Sequence, residues 1–187
     1  MPACKRPAAS TIFSILNPDM PRAGIALGSN LGPRLANLQA AREALRSLAR
    51  PGAELLQAPI YQTAPLACPE GSPEFFNTVV EISYDGSPEE LLRHTQAIEM
   101  TLGRTRGTTL HAPRPIDIDL LYCGETTHAD DGLDLPHPRL TQRRFVLQPL
   151  ADLRPELILP GHSLSIAELL AGLISDEPAP ELVQREW

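Results

Sequence analysis

Pro113-Arg114-Pro115-Ile116-Asp117-Ile118-Asp119-Leu120 decides how this chain is read. Apolar and acidic residues alternate from Ile116 to Leu120, and a period of two is the signature of a β-strand. Ile116, Ile118 and Leu120 then face a core, while Asp117 and Asp119 share the other face with Cα atoms roughly 6.6 Å apart. Two carboxylates at about 6 Å repel by roughly 2–3 kcal/mol at an effective dielectric near 20. A cation between them reverses that sign. Paired carboxylates with open coordination positions suit Mg²⁺, which keeps waters and recruits phosphate oxygens. Arg114, just upstream, adds a guanidinium to the same place. A lone Asp-x-Asp on a strand is more often two solvated acids on an open sheet face, so the flanking sequence has to decide.

Working outward, the elements alternate. Residues 24–28 (Gly-Ile-Ala-Leu-Gly) form a short apolar strand ending in Gly-Ser-Asn, a strand-to-helix turn that is neither a Walker A loop nor GxGxxG. Leu31, Leu35, Leu38, Ala41, Leu45 and Leu48 give three- and four-residue spacing, a helix stopped by Pro51-Gly52. Strands are expected over 54–62 and 75–84, the latter rich in β-branched and aromatic residues. Ser87-Pro88-Glu89-Glu90 is a capping box with proline at the first helical position; its helix runs to Leu102, with Gly103 in the C′ role. The aspartate strand follows at 116–122, then a polar, turn-like stretch over 124–134 and an apolar run at Phe145-Val146-Leu147. Ser165 to Glu168 is a second capping box. The order is βαββαβ, the ferredoxin-like arrangement of the α+β class: an antiparallel sheet with helices packed on one face. Two Pro/Gly-rich loops, 64–74 and 103–115, are longer than core connections need and are expected to act as lids, mobile alone and closed over ligands.

One domain over residues 23–175 accounts for this pattern. Residues 1–22 read as a disordered extension and 176–187, with Pro178 and Pro180, as a loose tail. With 42% hydrophobic and 21% charged residues, the composition is that of an ordinary globular chain. The formal net charge of −7 disfavours a nucleic-acid binder working through phosphate electrostatics. Cys4, Cys68 and Cys123 form no CxxC pair, which points to free thiols in a reducing, cytoplasmic setting. No apolar run approaches the ~18 residues needed to span a membrane.

Against that acidic background, positive charge is concentrated around the aspartate strand. Arg104, Arg106, His111 and Arg114 lie before it, and His137, Arg139, Arg143 and Arg144 after it. Six of the fifteen arginines fall within 104–144. A stripe of solvated arginines is the plain alternative, but two clusters flanking paired carboxylates fit a polyanion pocket, because forked guanidinium groups bind phosphate strongly where water is excluded. His94 and His162 read as ordinary single histidines, and Phe75, Phe76 and Phe145 as core candidates.

Six motifs in order resemble the 6-hydroxymethyl-7,8-dihydropterin pyrophosphokinase family: Ala26-Leu-Gly-Ser-Asn-Leu, Tyr61-Gln-Thr-Ala-Pro-Leu, Phe76-Asn-Thr-Val-Val, Gln96-Ala-Ile-Glu, Gly103-Arg-Thr-Arg running on through Ala112-Pro-Arg-Pro-Ile-Asp-Ile-Asp-Leu-Leu, and Leu135-Pro-His-Pro-Arg-Leu with Arg143-Arg-Phe. The resemblance covers Ala23 to Leu159. It implies Mg²⁺-dependent transfer of a diphosphoryl group from ATP to the hydroxymethyl oxygen of the reduced pterin, with release of AMP, in folate biosynthesis. It implies two Mg²⁺ ions on Asp117 and Asp119, with Arg104 and Arg114 joining these aspartates as the catalytic set. Gln96, Glu99, Arg106, His137, Arg143 and the backbone near Leu120 would hold ATP. The pterin would stack between Phe75 and Phe145, with Asn77 reading its hydrogen-bonding edge and Thr63, Ala64 and Leu66 alongside. Phe75 and His111 stand where the family often has Tyr and Trp, and Pro138 replaces an aromatic. The expected partners are the two small substrates, with no nucleic acid and no membrane, and the chain is expected to be a monomer. A nucleotide-binding regulatory module on the same fold, without turnover, is the competing reading; a ferredoxin-like RNA binder lacks the aromatic signature.

Overall fold

The aspartate strand lies at one edge of a six-stranded antiparallel sheet in a computed structural model that describes residues 21–66, 68–105, 112–130 and 132–187. In chain order the elements are β1 (Arg22–Ser29), α1 (Arg34–Leu48), β2 (Leu56–Gln57), β3 (Ile60–Thr63), β4 (Phe75–Ser83), α2 (Pro88–Thr101), β5 (Asp117–Cys123), a small hairpin of β6 (His128–Asp130) and β7 (Leu133–Leu135), α3 (Arg144–Leu153), α4 (Ile166–Gly172) and β8 (Glu181–Gln184). The sheet order is β5-β1-β4-β3-β8, with β2 also paired to β4. Without β8, that is the strand order of a ferredoxin-like βαββαβ core.

Both capping boxes form as read. Ser87 Oγ accepts from Glu90 N–H while the Glu90 carboxylate accepts from Ser87 N–H, and Ser165 and Glu168 repeat the exchange. Gly103 closes α2 at φ 90°, a left-handed conformation that an L side chain resists.

The helices occupy both faces of the sheet, not one. Leu38, Ala41 and Leu45 of α1 and Leu91 of α2 pack against Ile25, Leu27, Ile82, Ile118 and Leu120. Val146, Leu147 and Leu150 of α3 and Ile166 of α4 pack against Val79, Leu121 and Tyr122 on the opposite side. The second layer exists because Val79 in the middle of β4 and the end of β5 present apolar side chains to that face as well. In β5 a bulge does this: Ile25 pairs with Leu120 but Gly24 pairs with Tyr122, so Leu121 is the extra residue and the alternation shifts.

Other expectations are also revised. α1 begins at Arg34; Leu31 lies outside it and is 47% exposed, because Gly32 at φ 70° and Pro33 delay the helix. The strand expected over 54–62 splits into β2 and β3 at Ala58-Pro59, where proline lacks the N–H a ladder needs. The polar stretch 124–134 holds β6 and β7. Arg22, assigned to the extension, opens β1, while residues 1–20 lie outside the described residues. The tail is not loose: β8 adds to β3, and the Trp187 indole donates to the Ala58 carbonyl at 2.8 Å. Among the described residues no helix is long and apolar enough to cross a membrane.

Candidate active site

Ile118 and Leu120 point into the core beneath α1 and α2, so strand alternation turns Asp117 and Asp119 to the other face. Both aspartates line a cavity of about 450 Å³, together with Arg104, Arg114 and Arg143. Asp117 is held by two guanidinium groups, Arg104 Nη1 at 2.5 Å and Arg114 Nη2 at 2.6 Å. Asp119 has a looser partner, Arg143 Nη1 at 3.7 Å.

Charge balance at the two acids differs accordingly. Burial, and then the neighbouring Asp117 carboxylate, raise the Asp119 pKa, while His137, Arg143 and Arg114 pull it back only in part. Burial lowers the His137 pKa, with Asp119 opposing. Burial, reinforced by Arg139, also lowers Arg143 from its ordinary value, a cost that an anionic ligand would relieve. For Arg104 burial works against the charge, but the facing carboxylates of Asp117 and Glu99 outweigh it and its pKa rises. Arg114 Nε is buried and unpartnered among the described residues. Excess positive charge, an unpartnered guanidinium nitrogen and a half-neutralised carboxylate together describe a place shaped for an anion and a cation that are bound together.

The other end of the same cavity is lined by Thr63, Ala64 and Leu66 after β3, by Phe75 and Asn77 on β4, and by Phe145 at the start of α3. Asn77 Nδ2 donates to Thr63 Oγ1 at 2.7 Å, which orients the amide. A Cβ on Gly28 would fall 2.8 Å from Asn77 Oδ1, so the glycine of the β1 turn is what gives Asn77 its space. Arg114 and Arg143 reach over the two rings, 5.8 Å from Phe75 and 5.4 Å from Phe145, joining the cationic end to the aromatic end.

Gly28-Ser29-Asn30 does more than turn the chain. Asn30 is buried; its Oδ1 accepts from Arg114 N–H at 2.8 Å and its Nδ2 donates to the Pro73 carbonyl at 3.2 Å. Ser29 Oγ donates to the Pro115 carbonyl at 2.6 Å, and Asn37 Nδ2 reaches the same oxygen at 2.9 Å. The turn therefore ties the end of each long loop to β1 and fixes the backbone from which Arg114 projects.

Eleven of the expected site residues thus share one cavity: Thr63, Ala64, Leu66, Phe75, Asn77, Arg104, Arg114, Asp117, Asp119, Arg143 and Phe145. Gln96, Glu99, Leu120 and His137 do not line it. Gln96 is half-buried on α2, and the Leu120 side chain lies in the core. Glu99 acts from behind: its Oε1 accepts from Ile118 N–H at 2.7 Å and pairs with Arg104, so α2 positions both β5 and that arginine. His137 follows the β6–β7 hairpin beside β5: its backbone N–H donates to the Leu121 carbonyl at 2.8 Å, and its ring interacts with Asp119. Arg106 and His111 lie outside the described residues. The cavity also takes in Cys68, Arg139, Gln142 and Glu177. Arg139 belongs to a run already conspicuous by charge; Glu177 comes from the tail that composition set aside.

Residues 24–155 match the family model described as 7,8-dihydro-6-hydroxymethylpterin-pyrophosphokinase (HPPK). A protein of Porphyromonas gingivalis named 2-amino-4-hydroxy-6-hydroxymethyldihydropteridine pyrophosphokinase is 41% identical over 136 residues, 71% of this chain and 90% of its own length. The mitochondrial folate synthesis bifunctional protein of Pisum sativum is 42% identical over 130 residues, 69% of this chain and 24% of that protein. The chain likewise covers 21% of the Pneumocystis carinii folic acid synthesis protein, so it spans about a quarter or less of these longer relatives. A crystal structure of wild-type Plasmodium falciparum HPPK-DHPS superposes with a TM-score of 0.61 over 81% of this chain and 44% of the other, at 13% identity, a likeness of fold. On the family match and the bacterial relative, the chain belongs to the 7,8-dihydro-6-hydroxymethylpterin-pyrophosphokinase family.

Proposed function

We propose that this chain transfers the diphosphoryl group of ATP to the hydroxymethyl oxygen of 6-hydroxymethyl-7,8-dihydropterin, a step of folate biosynthesis. In that reaction the hydroxymethyl oxygen bonds to the β-phosphorus, the bond from that phosphorus to the α,β-bridging oxygen breaks, AMP departs, and the hydroxyl proton is released. The observation that carries the reading is the meeting, in one cavity, of an acidic pair caged by arginines with two phenylalanines and a buried Asn.

The donor set fits Mg²⁺: two carboxylates on one strand face and, among the described residues, no third protein ligand to close the coordination shell. Asp117 and Asp119 would hold the metal, two ions by the family's pattern. Bound there, Mg²⁺ supplies charge neutralisation along the polyphosphate and polarises the phosphorus under attack. The protein groups position and neutralise. Arg104 and Arg114 exchange Asp117 for phosphate oxygens, and Arg143 exchanges Asp119. Arg139 adds charge at the same mouth, with Arg106 and His137 assigned to the nucleotide. Phe75 and Phe145 hold the heterocycle, and Asn77 reads its edge, which aligns the hydroxymethyl group with the phosphates. Transfer of this kind is driven by such alignment and electrostatic stabilisation more than by covalent help from the protein. Free Cys68 and Cys123 suit a reducing compartment such as the cytoplasm.

The test is AMP release from ATP plus the hydroxymethyl pterin, with Mg²⁺ and with EDTA. Stoichiometric AMP and pterin diphosphate, abolished by EDTA, is the expected result. ATP binding without AMP would instead make the chain a nucleotide-binding module.

A further inference from the structure

The tail of this chain contributes to the cavity. After α4 it runs back along the molecule, held at one side where Arg144 Nη2 donates to the Leu173 carbonyl at 3.4 Å. It is held at the other by β8, whose Leu182 and Glu181 pair with Tyr61 and Gln62 of β3. Beyond β8 the Trp187 backbone oxygen accepts from Gln57 Nε2 at 2.8 Å and from Arg42, whose guanidinium stacks on the Trp187 ring. The segment is thus fastened to the very strand that delivers Thr63 to the site. Between these anchors, Glu177, Pro178 and Pro180 lie against Thr63, Ala64, Leu66 and Phe145, and Glu177 lines the main cavity at that end.

Glu177 is a carboxylate at the aromatic end of a cavity whose other acids, Asp117 and Asp119, sit at the cationic end. Its surroundings there are apolar side chains and a hydroxyl, with none of the site's arginines on that patch of wall. A carboxylate in such a place accepts hydrogen bonds strongly and in pairs. The pterin ring, on the activity proposed above, presents a 2-amino group and an adjacent ring N–H, two donors side by side. We infer that Glu177, supplied by the tail beyond the family-matched residues 24–155, accepts from that donor edge and is a specificity-determining residue for the pterin. This rests on the proposed pterin activity; Asn77 and Glu177 then divide the ring's edge between a buried amide and a carboxylate brought by a different part of the chain.

The experiment measures pterin and ATP dependence separately for wild type, Glu177→Ala and Glu177→Gln, with Glu181→Ala, an exposed β8 residue, as the control. For Glu177→Ala the KM for pterin should rise about tenfold, the effect of losing one charge-assisted hydrogen bond, while the KM for ATP stays put. Preference for the pterin over an analogue carrying methyl in place of the 2-amino group should fall by a similar factor, which a merely structural wall would not produce. Glu177→Gln keeps the shape and one acceptor, so it should shift in the same direction by less, and it carries the test if the alanine variant does not fold. Unchanged pterin KM and unchanged discrimination in a folded variant overturn the inference. Calorimetric pterin binding keeps the two readings apart: wild type that binds pterin but releases no AMP defeats the activity alone. Equal pterin affinity and discrimination in wild type and Glu177→Ala defeats the role of Glu177 alone.

Discussion

Two ionic clusters sit on this sheet, one around Glu81 on β4 and one around Asp117 and Asp119 on β5, with β1 between them, and they are built to opposite ends. At one, Glu81 is 2% exposed and fully enclosed: Arg154 approaches through Nη2 at 2.7 Å and Nε at 3.2 Å, Arg22 Nη1 at 3.0 Å, and the Tyr122 hydroxyl donates at 2.6 Å. Every partner is protein, and none of the four residues lines the large cavity. At the other, Asp117 and Asp119 face that cavity, Asp119 reaches its arginine only at 3.7 Å, and Arg114 Nε is buried without a partner among the described residues. Saturation is what a structural cluster needs, since each unpaired buried charge costs stability. Incompleteness is what a site needs, since a ligand then supplies the missing terms. Carboxylates met by arginines describe both clusters; enclosure and open valences separate them.

The comparison breaks if the open cluster proves structural. Asp117→Asn and Asp119→Asn should each lower the rate of AMP formation by about a thousandfold or more, the scale of removing a group that holds charge at the reacting atoms. Neither urea midpoint should fall below wild type. A variant that turns over at near-normal rates with a lowered midpoint would reverse the assignment.

Glu81→Ala is the mirror experiment. It leaves Arg154 and Arg22 facing each other without the anion, and breaking a buried pair in this way costs about 3–5 kcal/mol. That is a large share of the ~5–15 kcal/mol that holds a domain of this kind folded. Urea unfolding should show it, while the fraction that remains folded keeps its KM for ATP and for pterin. Loss of affinity without loss of stability would mean that the closed cluster serves the site.

Two glycines on β1 sharpen the contrast within a single strand. A Cβ on Gly24 would stand 2.1 Å from the Tyr122 ring, inside the closed cluster; on Gly28 it would stand 2.8 Å from Asn77 Oδ1, beside the open one. Gly24→Ala should therefore lose about 1–3 kcal/mol of stability, as overpacked cores do, with substrate constants unchanged in the folded fraction. Gly28→Ala should raise the pterin KM about tenfold by turning the Asn77 amide, the equivalent of one displaced hydrogen bond, and leave the KM for ATP alone. Equal effects of the two on stability and on pterin KM would remove the distinction.

How much of this was legible follows the range of the interactions. The alternation of Ile116 to Leu120, the two capping boxes and Gly103 are local, and each reads directly from spacing. The arginine runs flanking β5 announced the open cluster because a site's charges sit near its loops in sequence. The closed cluster left no such trace: Glu81 meets Arg22 59 positions away and Arg154 73 positions away, and any arginine would have read the same. The second helical layer was hidden because a bulge at Leu121 breaks the period of two that signals a one-faced strand. Glu177 and β8 were hidden by Pro178 and Pro180, which mark the chain as irregular; whether an irregular segment is free depends on the open edge of β3, which no neighbouring residue encodes.

The finest difference between the clusters lies in protons. Burial first, and then the Asp117 carboxylate, hold the Asp119 pKa above the ordinary 3.8, so the folded, ligand-free protein binds that proton more tightly than the unfolded chain does. Between 3.8 and the raised value the native state carries more protons than the unfolded state, and stability from this group falls as pH rises through that window. Urea unfolding in EDTA, stepped from the acid range to neutrality, should show the decline, and Asp119→Asn should flatten it and lie above wild type at neutral pH. If the asparagine variant keeps the full slope, Asp119 is already neutralised within the protein, and the open cluster would be as satisfied as the closed one.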